Sequence, residues 1–204
     1  KIVDGSLFCC VVGQRVDGHD LATAAVAAGA TSILVERFLT DATLRDVTQL
    51  VVSDTRAALG PVASAFWGHP SSGEIAVVGV TGTNGKTTVV TLVSQLLELL
   101  GVRCGVIGTL TGTRTTPEGP ELQAQLRAFV EAGVTVAAIE VSSHALALHR
   151  VDGTHFAVSI FTNLGADHLD FHQTPERYFE AKARLFEPEL TDRGLVNIDD
   201  VHGR

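Results

Sequence analysis

The sequence contains no methionine, has only three cysteines, and lacks any long apolar run. Cys9, Cys10 and Cys104 are an odd number in no metal-ligand spacing, which predicts buried free thiols in a reducing, cytoplasmic setting. No apolar run reaches the roughly 18 residues that a membrane-spanning helix needs, and no secretory signal peptide is recognisable. These absences exclude a disulfide scaffold and a membrane-spanning chain.

Positive charge is also scarce, because 15 Lys and Arg face 23 Asp and Glu and leave a net charge of −8. This balance argues against nucleic acid or an anionic membrane as the main partner. The chain begins with Lys1 rather than methionine, and a strand predicted at residues 194–198 would be left uncovered soon before the last residue. We therefore expect the chain to be part of a longer protein.

The most informative stretch is a predicted strand, a glycine-rich turn and a helix in direct succession. An apolar run at residues 75–80 leads into the sequence TGTNGKTT at residues 81–88, and helical spacing of apolar residues follows to residue 100. Backbone N–H groups in such a turn and the positive helix N-terminus can hold phosphates. Lys86 would supply a charge for the outer phosphates, and the Thr87 hydroxyl can be a Mg²⁺ ligand.

The match to the usual P-loop pattern is partial, because Val80 stands where that pattern has glycine. An ordinary turn between a strand and a helix is the alternative interpretation. The predicted phosphate-binding residues are Gly82, Thr83, Asn84, Gly85, Lys86, Thr87 and Thr88.

Strands and helices alternate along the chain and predict two α/β domains. The first is predicted at residues 1–70, and linker composition at residues 69–73 separates it from a second at residues 74–204. The predicted fold class is a small N-terminal α/β domain followed by a P-loop, doubly wound, mostly parallel sheet that is truncated at its C-terminus. Strands are predicted at residues 7–12, 32–35, 50–52, 75–80, 104–107, 134–139, 156–161 and 194–198, and helices at residues 19–28, 55–66, 89–100, 120–132 and 175–186.

Polar residues follow two near-continuous apolar runs of the second domain. Glu140 comes after one run, and Asn163, Asp167 and His168 come after the next. Because ligands bind at the carboxyl ends of parallel strands, we expect these residues and the glycine-rich turn to converge on one edge. Glu140, His168 and Asp167 are then candidate Mg²⁺ ligands beside Thr87, and capping or surface roles are the alternative. Lys182 lies in a predicted helix among apolar residues, and the pattern does not decide whether its side chain faces the core or the solvent.

Taken together and in order, these residues resemble the Mur ligase family, and within it the members that add the third residue of the peptidoglycan stem peptide. The resemblance covers nearly the whole chain. Its matching stretches are residues 7–18, 81–88, 115–118, 140–144, 149–151, 162–172 and 180–186.

The resemblance implies an ATP-dependent ligase that joins a diamino acid, meso-diaminopimelate or L-lysine, to UDP-N-acetylmuramoyl-L-alanyl-D-glutamate through an acyl phosphate. By analogy, residues 1–70 would bind the uridine nucleotide, and residues 74–204 would bind ATP through the turn from Gly82 to Thr88. The implied substrate contacts are Gln14, Arg15, Val16, Thr115, Thr116, Ser142 and Arg150.

The resemblance also implies that Lys86, Lys182 and His168 serve the reaction, that Mg²⁺ is held by Thr87, Glu140 and His168, and that Lys182 is carbamylated. The family's third domain, which binds the incoming amino acid, is not recognisable, so the chain alone is expected to be inactive. Two alternatives stay open. A folylpolyglutamate synthase shares the fold but typically has Gly-Ser after the P-loop lysine, and a non-catalytic nucleotide-binding module is the other.

Overall fold

The computed structural model describes residues 2–13 and 15–204, and the chain forms two compact units, residues 1–59 and 60–204. The division lies inside a helix, ahead of the linker predicted at residues 69–73. That segment packs within the second unit, where Ile75 N–H donates to the Pro70 carbonyl (3.1 Å) and His155 N–H to the Ser71 hydroxyl (3.0 Å). The two functional domains therefore stay a prediction.

The first unit is built on a three-stranded parallel sheet. Its strands β1 (Ser6–Cys9), β2 (Ala30–Val35) and β3 (Thr48–Val51) are hydrogen-bonded in that order. Helix α1 (Ala22–Ala27) follows β1, and α2 (Thr55–Phe66) follows β3. The core gathers buried side chains, namely Cys10, Ala22, Ile33, Val35 and Leu44.

The helix predicted at residues 19–28 is shorter than expected. A 3₁₀ turn (Gly18–Leu21) precedes α1, because the Asp17 carboxylate accepts the His19 N–H (2.9 Å) and caps that turn. The ring of His19 is buried and bonds Asp17 Oδ1 (2.6 Å) and the N–H of Glu36 (2.9 Å). Asp17 and His19 therefore fix the end of the loop that follows β1.

The cysteines are free thiols, with Cys10 buried and Cys9 and Cys104 partly buried. Burial raises the pKa of Cys9 and Cys104, and it raises the pKa of Cys10 to about 11 with help from the neighbouring Cys9. Thiols with raised pKa values stay protonated near neutral pH and are poor nucleophiles. A structural role fits all three.

The second unit is a five-stranded, fully parallel sheet in the order β5-β6-β4-β7-β8. The apolar runs of the sequence lie in its central strands. Its strands are β4 (Ala76–Thr81), β5 (Cys104–Ile107), β6 (Val136–Glu140), β7 (Val158–Phe161) and β8 (Gly194–Val196). Its helices are α3 (Lys86–Leu99), α4 (Gly119–Glu131), α5 (Ser143–Ala147), α6 (Leu169–His172) and α7 (Pro175–Ala183).

This strand order confirms the predicted α/β class, with β4 at the point where the chain reverses direction across the sheet. The apolar face predicted for α4 is also found: Leu122 and Leu126 are buried in the main core, and Phe129 and Val130 pack against it. Within the described part of the chain, no helix combines the length and apolar character needed to cross a bilayer.

Three glycines bring backbone segments of the second unit into direct contact. A Cβ on Gly60 would lie 1.9 Å from the carbonyl oxygen of Asp152, and a Cβ on Gly119 would lie 2.9 Å from Gly60 Cα. Gly153, with φ +81°, touches the same part of α2. Because these neighbours are backbone atoms, they cannot rotate away from an added methyl group.

We therefore expect Gly60→Ala to lower the free energy of unfolding by about 3 kcal/mol, at the upper end of overpacking costs. Urea unfolding checks this as a lower midpoint at an unchanged m value. Gly165→Ala is the matched control, because its Cβ would meet its nearest neighbour at 3.5 Å with no positive φ. An unchanged midpoint for Gly60→Ala would contradict the close approach.

Candidate functional site

The glycine-rich turn connects the central strand β4 to α3. Gly85 precedes the helix with φ +86°, and Gly82 has φ +147°. A Cβ at Gly82 would lie 1.9 Å from the hydroxyl oxygen of Thr162, so the turn leaves no room for a side chain there. Because α3 starts at Lys86, three residues before the predicted start, its N-terminus points into the turn.

The segment after β7 holds this turn through its polar groups. Asn84 N–H donates to Asn163 Oδ1 (3.0 Å), while the Asn84 carbonyl accepts from Thr162 Oγ1 (2.7 Å) and Asn163 Nδ2 (3.1 Å). Thr83 N–H donates to the Asn163 carbonyl (2.8 Å), and Gly165 N–H donates to Thr83 Oγ1 (2.8 Å). The ends of β4 and β7 are thus joined into one rim.

Two lysines meet at a single carbonyl oxygen of the turn. Lys86 Nζ donates to the Gly82 carbonyl (2.8 Å) and to the Thr83 carbonyl (2.9 Å). Lys182 Nζ, on α7, donates to the same Gly82 oxygen (2.9 Å). The sequence does not decide whether Lys182 faces the core or the solvent. In the structure Lys182 is buried, with 2% of its surface exposed.

Burial lowers the pKa of both lysines. For Lys86 it works against the charges of Glu140 and Asp167, which raise the pKa. For Lys182 burial and the charge of Lys86 together bring the pKa to about 7. A substantial neutral fraction of Lys182 at physiological pH follows, and a neutral amine is a nucleophile.

Glu140 ends β6 with its carboxylate directed at the start of α3. It is 2% exposed, and Thr87 Oγ1 donates to its Oε2 (2.8 Å). Thr109, just after β5, donates its N–H to Oε1 (3.0 Å) and its hydroxyl to Oε2 (3.3 Å). The carboxyl ends of β4, β5 and β6 therefore meet around this carboxylate.

Thr87 and Glu140 have the donor chemistry that Mg²⁺ prefers. Both offer oxygen atoms, and the 2.8 Å between Thr87 Oγ1 and Glu140 Oε2 is close to the about 2.9 Å between adjacent ligands of octahedral Mg²⁺. These two residues fit the predicted ion.

His168, the third predicted ligand, lies in the loop before α6 with its ring 44% exposed and Nε2 3.5 Å from Asp167 Oδ2. No cluster of three His, Cys, Asp or Glu residues able to hold a metal occurs in residues 2–13 and 15–204. The ligand set implied by the resemblance is Thr87, Glu140 and His168, and only two of these residues are of those four types. The absence of such a cluster from the described residues therefore does not test this set, and His168 stays a predicted ligand.

The predicted substrate residues of the second unit lie beside Glu140. The Thr116 hydroxyl is buried, donates to the Glu140 carbonyl (2.8 Å) and accepts the Ser142 N–H (3.1 Å). Thr115 Oγ1 lies 3.0 Å from Thr109 Oγ1, and Ser142 caps α5. Thr116 therefore ties the loop to the end of β6, while Thr115 sits at the exposed rim.

Arg150 and Arg114 approach one carboxylate. Arg150 Nε and Arg114 Nη1 each lie 3.0 Å from Glu118 Oε1, so two cations share a single anionic oxygen. Sequence reasoning did not give Arg114 or Glu118 a role.

The predicted uridine residues belong to the loop after β1 of the first unit. Arg15 and Val16 are exposed there, and Gln14 lies outside the described residues. The loop is closed by Gly13 N–H to the Val16 carbonyl (3.0 Å) and by Gly18 N–H to the Val11 carbonyl (3.0 Å). Its exposed side chains stay predicted substrate contacts.

Two further residues of the site were not singled out from the sequence. Thr109 is one of many hydroxyl residues in its loop, and only the sheet topology brings it to Glu140. Tyr178 is the single tyrosine of the chain and lies four residues before Lys182, hence on the same face of α7. That spacing was a usable signal.

A parallel sheet with a glycine-rich turn after its central strand, a lysine and a hydroxyl residue opening the next helix, and a carboxylate on the adjacent strand defines the P-loop class of α/β folds. The model described as Mur ligase middle domain matches residues 80–204, and the model described as Mur ligase family, catalytic domain, matches residues 1–67. The chain belongs to the Mur ligase family.

Individual relatives agree with this family. The UDP-N-acetylmuramoyl-L-alanyl-D-glutamate--2,6-diaminopimelate ligase of Clostridium perfringens is 41% identical over 100% of this chain and 43% of its own length. The enzyme of the same name from Geobacillus kaustophilus is 45% identical over 91% of this chain and 39% of its own length. The chain thus spans less than half the length of these relatives.

Solved structures show the same fold. A structure of a UDP-N-acetylmuramoyl-L-alanyl-D-glutamate--2,6-diaminopimelate ligase has a TM-score of 0.86 and 32% identity, and the match covers 100% of this chain and 42% of that one. FolC of E. coli in complex with ADP is more distant, with a TM-score of 0.51 and 22% identity over 72% of this chain and 41% of that one. The latter likeness concerns the fold alone.

Proposed function

We propose that this chain is part of an ATP-dependent ligase that joins diaminopimelate to UDP-N-acetylmuramoyl-L-alanyl-D-glutamate in peptidoglycan synthesis. The observation that carries the proposal is the convergence of Lys86, Lys182, Thr87 and Glu140 on the turn after β4. The names of the relatives support diaminopimelate over L-lysine as the added residue. A cytoplasmic location is part of the proposal and agrees with the unpaired thiols.

In this reaction, a carboxylate oxygen of the muramoyl dipeptide attacks the γ-phosphorus of ATP. The bond between the γ-phosphorus and the bridging oxygen breaks, and ADP leaves. The neutral amine of diaminopimelate then attacks the acyl carbon, phosphate leaves with the bonding electron pair, and the nitrogen loses a proton.

The chain's own residues would counter the repulsion between two anions in the first step. Backbone N–H groups of Gly82, Gly85 and Thr88 would hold the phosphates, with Lys86 as the cation at the outer one. The N–H groups of Thr83 and Asn84 donate to Asn163 and so would hold the turn in shape around the nucleotide. Thr87 and Glu140, with His168, would hold Mg²⁺. That ion would neutralise phosphate charge when bound.

Lys182 has the environment that carbamylation requires. Its amine is buried, and the pKa of about 7 leaves it partly neutral. The nitrogen lone pair of the neutral amine would attack the carbon of CO₂, form a carbamate and release one proton to solvent. The resulting anion would exchange the repulsion between Lys182 and Lys86 for attraction.

The remaining contacts concern the muramoyl substrate. Arg15, Val16 and Gln14 would meet the uridine nucleotide. Thr115, Ser142 and Arg150 would meet the muramoyl peptide, with Thr116 holding their loop in place.

The function is tested by phosphate release from the full-length protein. We expect release to require ATP, Mg²⁺, UDP-N-acetylmuramoyl-L-alanyl-D-glutamate and diaminopimelate together, and hydroxylamine to trap an acyl phosphate when diaminopimelate is left out. L-Lysine in place of diaminopimelate is the control for the added residue. Turnover with a folate and glutamate instead, or ATP binding without turnover on any of these substrates, would contradict the proposal.

A further inference from the structure

Tyr178 joins three segments of the site through its hydroxyl group. It lies on α7, its side chain is 1% exposed, and its OH is 3.0 Å from Thr83 Oγ1 in the glycine-rich turn. The same Thr83 oxygen accepts the N–H of Gly165 (2.8 Å), which belongs to the segment after β7. One pair of hydroxyl groups therefore links α7, the turn and the β7 loop.

The ring of Tyr178 also lies under the amine of Lys182. Nζ of Lys182 is 4.5 Å from the ring centroid, within the range of a cation–π contact when the amine is charged. The same Nζ donates to the Gly82 carbonyl (2.9 Å), one residue from Thr83. Tyr178 thus contacts Thr83 of the turn through its hydroxyl group and Lys182 of α7 through its ring.

Two histidine rings lie near the phenol. His168 lies 6.1 Å and His172 5.1 Å from the Tyr178 ring, measured between centroids. Burial raises the pKa of Tyr178, so the phenol keeps its proton and can donate it to Thr83. Tyr178 is 1% exposed, while its partner Thr83 is half-buried at the surface of the turn.

Two other features of the second unit offer no comparable set of contacts. Exposed leucines on the outer face of α3 have nothing in the structure to show what covers them. The hollow of about 340 Å³ near His69 and His155 belongs to the opposite edge of the sheet, and both imidazole rings there have partners, His69 with Ser64 and His155 with Asp192.

We propose that Tyr178 is a positioning residue, which fixes Thr83 of the nucleotide turn and the amine of Lys182 in one arrangement. The proposal rests on the proposed function, because it assumes that the turn binds ATP. Tyr178 would act without touching the phosphates. Its hydroxyl would hold the turn ready for the phosphates. Its ring, in contact with Lys182 Nζ, would keep that nitrogen at the Gly82 carbonyl.

The test compares ATP affinity and stability in hydroxyl-deletion variants of the full-length protein. Tyr178→Phe removes only the phenol oxygen, and Thr83→Val removes its partner. Thr191→Val is the matched control, because the Thr191 hydroxyl is also buried and bonds the Phe156 carbonyl (3.1 Å) but lies at the other edge of the sheet. Calorimetric titration with ATP and MgCl₂ gives Kd, and thermal unfolding gives Tm.

We expect Tyr178→Phe and Thr83→Val each to raise the Kd for ATP about 5- to 10-fold, the size of one lost buried hydrogen bond. Thr83→Val also removes the acceptor of the Gly165 N–H, so its effect should be the larger of the two. The double variant should bind ATP as Thr83→Val does, since that substitution already removes the contact with Tyr178. Thr191→Val should change Tm and leave Kd unchanged.

A Tyr178→Phe variant that binds ATP as the wild type does, or single effects that simply add in the double variant, would overturn the positioning role while leaving the proposed function intact. A wild-type protein that fails to bind ATP would overturn both.

Discussion

Replacing Lys86 by alanine should reduce acyl-phosphate formation by the full-length protein at least about 10²- to 10³-fold, the effect of removing one preorganised charge-stabilising donor. Lys86 is the cation at the helix N-terminus, and its Nζ is already held 2.8 Å from the Gly82 carbonyl, ready to meet a phosphate. Without it, the charge that grows on the transferring group would lose its lysine partner and would meet only backbone N–H groups and the Mg²⁺ that Thr87 and Glu140 would hold. Hydroxylamine trapping of the acyl phosphate, in the absence of diaminopimelate, measures this step directly.

The control for Lys86→Ala is Arg193→Ala, which removes an exposed cation just before β8, at the opposite edge of the sheet. That variant should form the acyl phosphate at the wild-type rate. Urea unfolding of Lys86→Ala should show a folded protein, because Lys86 donates to carbonyls of the turn and not to the core. Undiminished trapping in folded Lys86→Ala would exclude the role of Lys86.

Replacing Lys182 by methionine should lower turnover of the full-length protein by about 10²-fold or more, because it removes the group that would become the carbamate anion. Methionine keeps much of the apolar stem and so preserves the packing of a side chain that is 2% exposed. With ¹³C-bicarbonate, the wild type should show a carbamate carbon signal that Lys182→Met lacks. An identical signal in both proteins, or full activity of Lys182→Met, would remove Lys182 from the mechanism.

The same pair of proteins gives a pH dependence of stability with a definite sign. Lys182 has a pKa of about 7 in the folded protein against an ordinary value of 10.5, so between these values the unfolded chain binds more protons. Stability from this group therefore rises with pH across that window, by at most about 1.4 kcal/mol per pH unit. In CO₂-free buffer between pH 7.5 and 9, wild-type stability should rise more steeply than that of Lys182→Met, and parallel curves would contradict the lowered pKa.

Much of the fold follows from the sequence because the buried strands are continuous apolar runs. Residues 104–107 were predicted as a strand and are one, and the runs at 75–80 and 134–139 lie within one or two residues of β4 and β6. Helices α5 and α6, of five and four residues, were missed, because so short a segment does not complete two helical turns and shows no periodicity.

The sequence predicts which residues gather at the carboxyl ends of the strands, but not which of their atoms are in contact. That Glu140, Thr87 and the segment after β7 gather at one edge follows from parallel topology. Which atoms meet does not: Thr83 and Tyr178 are 95 residues apart, and the burial of Lys182 depends on how α7 packs. The predicted roles of Lys182 and of the substrate residues come from the resemblance to the Mur ligases and not from periodicity.

The pairing between adjacent strands sets the position of the Glu140 carboxylate. Val80 is aligned with Glu140, and Thr81 with Phe161, in the hydrogen-bonded ladders on either side of β4. A slip by one residue would turn Glu140 to the opposite face of the sheet. The strand register that buries the apolar residues of β6 is therefore the same register that brings Glu140 to Thr87, so a substitution that disturbed one would disturb the other.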